Sequence, residues 1–388
     1  MQPPRLQSKL AHEVFLPEEA QAIRREVRDF VEKHVEPYAA RIARQDECRT
    51  TFPQDVFDRM AEQGLYAIPF PAGWGRGLQY PVLDTCVMLE ELGYGSDSVA
   101  AVIDVHCILA GHVLMYASDE LRARYLKPLI AGRKVGCFAT TEPDASTDLS
   151  IRSLKTIARE VDGGWRVSGQ KRFITNACAA DFVTCLVVAD DKLCEMVIDL
   201  KQDGVKVGKP DLKIGNRGQL TSDIYFDEAF APADNLVGEP GKGLHIALGT
   251  LTYGRMGIAA TGVGMAQRAF DECVDYMKRR TAFGKRLAEF QYWQFRLEEY
   301  AARIEGARSL YQKAAYRKDL GVEFPEPEAA MAKFTGTQLA VDIARDAVQI
   351  FGGYGYMREL AHDGSTYKVE ELYRDSKITE IYEGANEI

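Results

Sequence analysis

The stretch LKTIAREVDGGWRVSGQKRFITN (154–176) decides how this chain is read. It holds two short β-rich runs on either side of Asp162-Gly163-Gly164, and such a pair signals a hairpin. Working outward, DFVTCLVVADDKLCEMVIDL (181–200) repeats the theme with Asp190-Asp191 at its turn, and SDIYFDEAFAP (222–232) supplies another strand. Residues 135–243 are therefore expected to form a small antiparallel β domain.

On both sides the period changes to that of helices. In EEAQAIRREVRDFVEKHV (18–35) the residues Ile23, Val27, Phe30, Val31 and Val35 fall on one helix face. Ser118 is a fitting N-cap for SDELRARYLKPLIAG, with Asp119 and Glu120 in the first turn and Gly132 at the end. Residues 1–134 thus read as a helical domain. Beyond the β section, 291–321 and 325–353 read as two long amphipathic helices joined by a short Pro-containing loop, so 244–388 is expected to pack as a bundle. The glycines of PFPAGWGRGLQYP (69–81) follow no strand, which argues against a dinucleotide-binding βαβ unit.

Composition narrows the function classes. The 388 residues are 46% hydrophobic and 27% charged, as in folded globular proteins. A formal charge of −9 argues against nucleic acid, which demands clustered Lys and Arg. Eight cysteines form no CxxC pair and six histidines are scattered, so neither disulfides nor a metal site is expected. The polar N-terminus lacks the apolar core of a secretory leader, and no membrane span is expected, which makes the cytoplasm the default compartment.

Six blocks carry a specific resemblance: CFATTEPDASTDLS (137–150), GQKRFITNACAADF (169–182), GRMGIAATGVGMAQRAF (254–270), RRTAFGKRLAEFQ (279–291), QIFGGYGYMREL (349–360) and YRDSKITEIYEGANEI (373–388). In this order they resemble the acyl-CoA dehydrogenase family over essentially the whole chain. The resemblance implies an α+β fold with an N-terminal helical domain, a central antiparallel β domain and a C-terminal four-helix bundle. It also implies FAD between domains and a homo-oligomer, a tetramer in preference to a dimer.

Residue by residue, the resemblance sets Phe138, Thr140, Thr141, Thr147, Phe173 and Thr175 around the flavin ring. Arg280, Phe283, Gln291, Gln349, Gly352 and Gly353 are expected on the adenosine diphosphate of a neighbouring subunit's FAD, where a guanidinium suits a pyrophosphate. The family supplies its α-proton base from the YEG block, here Glu383. Taken alone, Glu383 reads as an ordinary helix-end carboxylate. Tyr382, Gly384, Arg255 and Thr147 are expected on the acyl-CoA side.

Four departures stand out. The family's GAGSD turn is DASTD here, Ala385 replaces the usual threonine, AHDGST (361–366) looks inserted near the site entrance, and the sequence stops after NEI. Asp104 falls in an apolar segment expected to line the acyl pocket. A buried carboxylate there should be paired, protonated or used in the chemistry. The expected activity is FAD-dependent α,β-dehydrogenation of an acyl-CoA, with an electron-transfer flavoprotein as acceptor. Alternatives are a cyclic acyl-CoA with Asp104 shaping or sharing the chemistry, a carrier-protein thioester, or a catalytically idle flavoprotein serving as an assembly partner.

Overall fold

The computed structural model describes residues 3, 5 and 15–388. The expectation for the N-terminal leader therefore falls largely outside the described residues. Strands β2 (Ile157–Val161) and β3 (Gly164–Thr175) form the hairpin read from the opening stretch, with Val161 opposite Gly164. β4 (Phe182–Ala189) and β5 (Lys192–Asp199) turn through Asp190 and Asp191, both left-handed at φ 47° and 54°. Two consecutive positive φ values match the twist of a two-residue hairpin, and aspartate tolerates them better than most side chains.

β6 (Val205–Val207), β7 (Thr221–Pro232) and β8 (Leu236–Val237) complete the sheet in the spatial order β6-β7-β3-β2-β4-β5-β8. One feature differs from the antiparallel expectation. β1 (Gly136–Ala139) runs parallel to β4, as does the start of β2, so the sheet is mixed. A parallel pair needs a crossover rather than a tight turn, and no local turn signal announces one.

The N-terminal helices include α1 (Glu18–Phe30), α2 (Gln54–Glu62), α3 (Pro81–Gly95) and α4 (Asp97–Ile103). Ser118 caps its helix as expected, its Oγ accepting from the Leu121 N–H. The C-terminal bundle comprises α5 (Gly243–Arg279), α6 (Gln291–Asp319), α7 (Glu326–Phe351) and α8 (Lys368–Thr379). α3 is buried on all sides and crosses α5 where Gly93 and Gly264 remove the side chains between them; a Cβ on Gly264 would strike the Glu90 carbonyl.

A buried ion cluster fastens the same junction. Glu90 receives Arg24 of α1 at 2.8 Å and Arg308 of α6 at 2.9 Å. Burial works against the Glu90 charge, and Arg308 and Arg24 overcome it, holding its carboxyl below the usual range. α4 continues through a wide helical turn, Asp104–Ala110, to Leu114. The span Asp97–Leu114 is long and apolar enough to cross a membrane, yet it lies almost wholly inside the protein and carries Asp97, Asp104 and His106.

Candidate active site

The chain leaves α8 at Thr379 and turns inward at Glu383 and Gly384, with φ 54° and 100°. Only glycine takes up this backbone freely, so the turn at Glu383 is held by its surroundings. Arg255 Nε donates to the Glu383 carbonyl at 3.2 Å, and Lys333 Nζ donates to the Gly384 carbonyl at 2.8 Å. The Glu383 N–H donates to no acceptor among the described residues. The residue is half-buried, and its carboxyl Oε2 has neither solvent nor a hydrogen-bond partner.

Two glycines of α5 make the space for this carboxyl. A methyl on Gly254 would overlap the Glu383 carboxyl, and one on Gly257 would meet Asp104 Oδ1. Three residues apart, these glycines share a helix face, so two acids are directed at one notch. Neither Asp104 oxygen meets a hydrogen-bond partner at normal distance. Burial first, then the facing Glu383, push the Asp104 carboxyl well above the usual range. Burial also raises Glu383, while the adjacent Asp104 and the cations Lys333 and Arg255 pull it back. The Tyr382 hydroxyl is enclosed with Asp97 as its strongest charged neighbour.

The residues expected around a flavin ring lie on β1, on β3 and on the loop between β1 and β2. β1 carries Phe138 and, just beyond its end, Thr140 and Thr141. Arg172 N–H donates to the Thr141 carbonyl at 2.9 Å, and Gly136 N–H donates to His106 Nδ1 at 3.2 Å. Asn176 Nδ2 ties the end of β3 to the Val102 carbonyl at 2.9 Å. Phe173 stands at a strand irregularity with φ 59° and is 59% exposed, with the Arg172 guanidinium over its ring at 5.0 Å. Thr175 Oγ1 accepts from Gln219, while Thr147 is exposed on the preceding loop.

The remaining predicted residues lie elsewhere. Arg280, Phe283 and Gln291 sit past the far end of α5, about 25 residues and ~38 Å along the helix from Gly254. Phe283 tips the hairpin β9 (Thr281–Ala282)–β10 (Lys285–Arg286), left-handed at φ 52° and 97% exposed. Gln349, Gly352 and Gly353 are exposed at the end of α7, anchored by Phe351 stacked on Tyr276 at 4.0 Å. A Cβ on Gly352 or Gly353 would meet nothing within 4 Å, and Gly352 has φ 59°, so the backbone lies open to a ligand.

Segment 361–366 also lies at this end, where His362 and Asp363 border a cavity of about 320 Å³ with Arg280 and Tyr354. It was expected at the site entrance and is instead a helix away from Glu383. A larger cavity of about 390 Å³, lined by Arg44, Arg268 and Arg358 among others, is also remote from the two acids. Among the described residues no cluster of His, Cys, Asp or Glu is arranged to hold a metal ion.

Sequence reasoning missed Lys333, Gly254 and Gly257 as parts of the site. The glycines were quoted within a matching block, but their spacing on one face was the signal to weigh. Lys333 gave no signal, since a lysine on an amphipathic helix ordinarily faces water.

Comparison with known proteins agrees with this geometry. Family models match residues 17–133 (acyl-CoA dehydrogenase, N-terminal domain), 137–229 (middle domain) and 241–388 (C-terminal domain). An acyl-CoA dehydrogenase of Bacillus subtilis is 37% identical over 372 residues, covering 94% of each chain. A 3-(aryl)acrylate reductase of Clostridium sporogenes is 35% identical over 381 residues, covering 97% of each. The butyryl-CoA dehydrogenase structure from Megasphaera elsdenii superposes with a TM-score of 0.88 at 33% identity, covering 96% of each chain. With all three domains matched in order and the predicted base enclosed at the end of the third, this chain belongs to the acyl-CoA dehydrogenase family, whose members are FAD-dependent oxidoreductases.

Proposed function

We propose that the protein removes the α-proton and β-hydride of an acyl-CoA thioester, leaving an α,β-unsaturated acyl-CoA, with Glu383 as the base. The observation that carries this reading is the Glu383 carboxyl itself. It is buried and unpartnered at Oε2, and held on a left-handed turn that two cations brace. A thioester α-proton is weakly acidic, so its removal requires a positioned base and a donor for the developing enolate oxygen. Glu383 Oε2 would receive the proton, and the unused Glu383 N–H is available to the thioester oxygen.

FAD, when bound, supplies the hydride acceptor that no side chain offers. The residues present fit it: a largely exposed Phe173 ring beside polar Thr140, Thr141 and Thr175, and an open glycine backbone at 352–353 beside Arg280. In one chain these two groups lie at opposite ends of α5, which supports a split site. Phe138, Thr140, Thr141, Thr147, Phe173 and Thr175 of one copy would hold the ring. Arg280, Phe283, Gln291, Gln349, Gly352 and Gly353 of a second copy would hold the diphosphate end. An electron-transfer flavoprotein is the proposed acceptor.

Arg255 is bonded to the Glu383 carbonyl and to Glu326 at 3.2 Å, so it supports the turn as well as bordering Gly384. Asp104 favours a narrower second reading, in which the acyl group is cyclic or polar and meets a second buried carboxyl beside the base. Anaerobic bleaching of the flavin by linear, branched, aromatic and cyclic acyl-CoAs tests the proposal. Bleaching by at least one is expected, and a flavin that none of them reduces would overturn it. Oxygen uptake without an added acceptor would replace the electron-transfer flavoprotein with dioxygen.

A further inference from the structure

Lys333 lies two turns into α7 and is 3% exposed, which is unusual for a lysine. Its ammonium makes two bonds, to the Gly384 carbonyl at 2.8 Å and to Asn386 Oδ1 at 2.7 Å. Asn386 is fixed in turn, its Nδ2 donating to Thr337 Oγ1 at 3.0 Å and its N–H to the Glu380 carbonyl at 3.0 Å. Thr337 is one turn along the same helix and bonds back to the Lys333 carbonyl at 2.7 Å. The segment after the base is thus laced to one face of α7, and each link runs through Lys333 or its immediate partners.

From this lacing the geometry points to Lys333 as a positioning residue for Glu383, holding the left-handed 383–384 turn and lending its charge to the carboxylate above it. The inference rests on Glu383 being the base. A buried ammonium is costly unless hydrogen-bonded, and here two acceptors from the base's own segment satisfy it. Burial lowers Lys333 to about 8, with Glu383 opposing that shift and Arg255 adding to it. The charged groups around it are Glu383, Glu380 and Glu387 from the chain end and Arg255 from α5. Glu383 is faced by Asp104 from the wide turn after α4, Lys333 from α7 and Arg255 from α5.

The experiment compares wild type, Lys333→Met, Lys333→Arg and Asn386→Ala as FAD-loaded enzymes. It measures FAD content, hydrogen exchange of residues 382–388, and the rate of anaerobic flavin reduction as a function of pH. Lys333→Met should retain FAD, exchange faster over 382–388, reduce its flavin at least about tenfold more slowly, and shift the pH midpoint upward because a cation near the carboxylate is gone. Lys333→Arg should keep the midpoint close to wild type. Asn386→Ala loosens the segment with the charge intact, so exchange quickens while the midpoint stays, and it carries the test if Lys333→Met does not fold.

Wild-type exchange, rate and midpoint in Lys333→Met, or in Asn386→Ala wild-type exchange and rate, would overturn the inference. So would a rate loss that only tracks lost FAD. Glu383→Gln is the separate control: if it still reduces flavin normally, the base assignment fails, whereas an inert Glu383→Gln beside a normal Lys333→Met removes only the role of Lys333.

Discussion

Glu383 combines two costs that an incidental surface residue would not bear. Its backbone is left-handed, worth on the order of 1 kcal/mol or more, and one carboxyl oxygen, Oε2, is buried without a partner. Replacing it with Gln keeps shape and volume but removes the proton acceptor. Flavin reduction by an acyl-CoA should then fall by about 10²–10⁴-fold with FAD retained; stopped-flow absorbance checks this, and a rate within tenfold of wild type would refute the base. The pH dependence has a fixed sign. A base must be ionised, and burial raises Glu383, so flavin reduction should climb as pH rises through the elevated pKa of Glu383. The sequence made Glu383 legible because Gly384 follows it inside an ordered set of blocks. Lys333 stayed hidden because its meaning depends on a segment 51 residues away that no local pattern connects to it.

At the level of elements, α5 is the scaffold on which the site is cut. Its mid-helix glycines cost helix propensity, about 1 kcal/mol each relative to alanine, yet they leave the notch for two carboxyls. Gly254→Ala should consequently separate stability from activity. The helix gains propensity, the flexible Glu383 side chain is displaced, and flavin reduction drops at least tenfold while the melting temperature holds or rises. Parallel loss of both would mean that the glycine serves packing alone. α3 offers a second test. Asp84 is buried at its first turn with both oxygens unpartnered, and burial, then Glu19 and Asp319, raise it to about 7. Its folded form holds a proton that the unfolded chain releases near pH 4, so stability present at low pH is lost as pH rises through about 7. Asp84→Asn should raise the melting temperature by roughly 2 °C at pH 8 and leave it nearly unchanged at pH 4, as scanning calorimetry at the two pH values would report. The hairpins of the β domain were legible from Gly163 and Asp190-Asp191. The parallel neighbours of β4 were not, since pairing across a crossover leaves no turn residues to read.

For the whole molecule, the proposed split site makes a complementation experiment decisive. A chain carrying Arg280→Ala keeps Glu383, and one carrying Glu383→Gln keeps Arg280. If FAD is held across two copies, a mixed pair rebuilds one intact site, and co-expression should recover about a quarter of wild-type activity under random pairing. Recovery of none, with mixed pairs verified by mass spectrometry, would place both groups around a single copy's cofactor. The α-β-α order was legible from periodicity, and the family from its ordered blocks. The separation of the two groups along α5 was not, because residue numbers give no measure of how far a helix carries a side chain from its partners. The exposed Phe283 hairpin has a further consequence on this reading: the copy bearing a lesion and the copy losing function are different molecules. In a cell making both normal and Arg280-defective chains, the defect would silence catalytic machinery that is itself intact. The total loss equals that of a Glu383 lesion, one site per defective chain, but it falls on the normal copies, whereas a Glu383 lesion disables only its own chain.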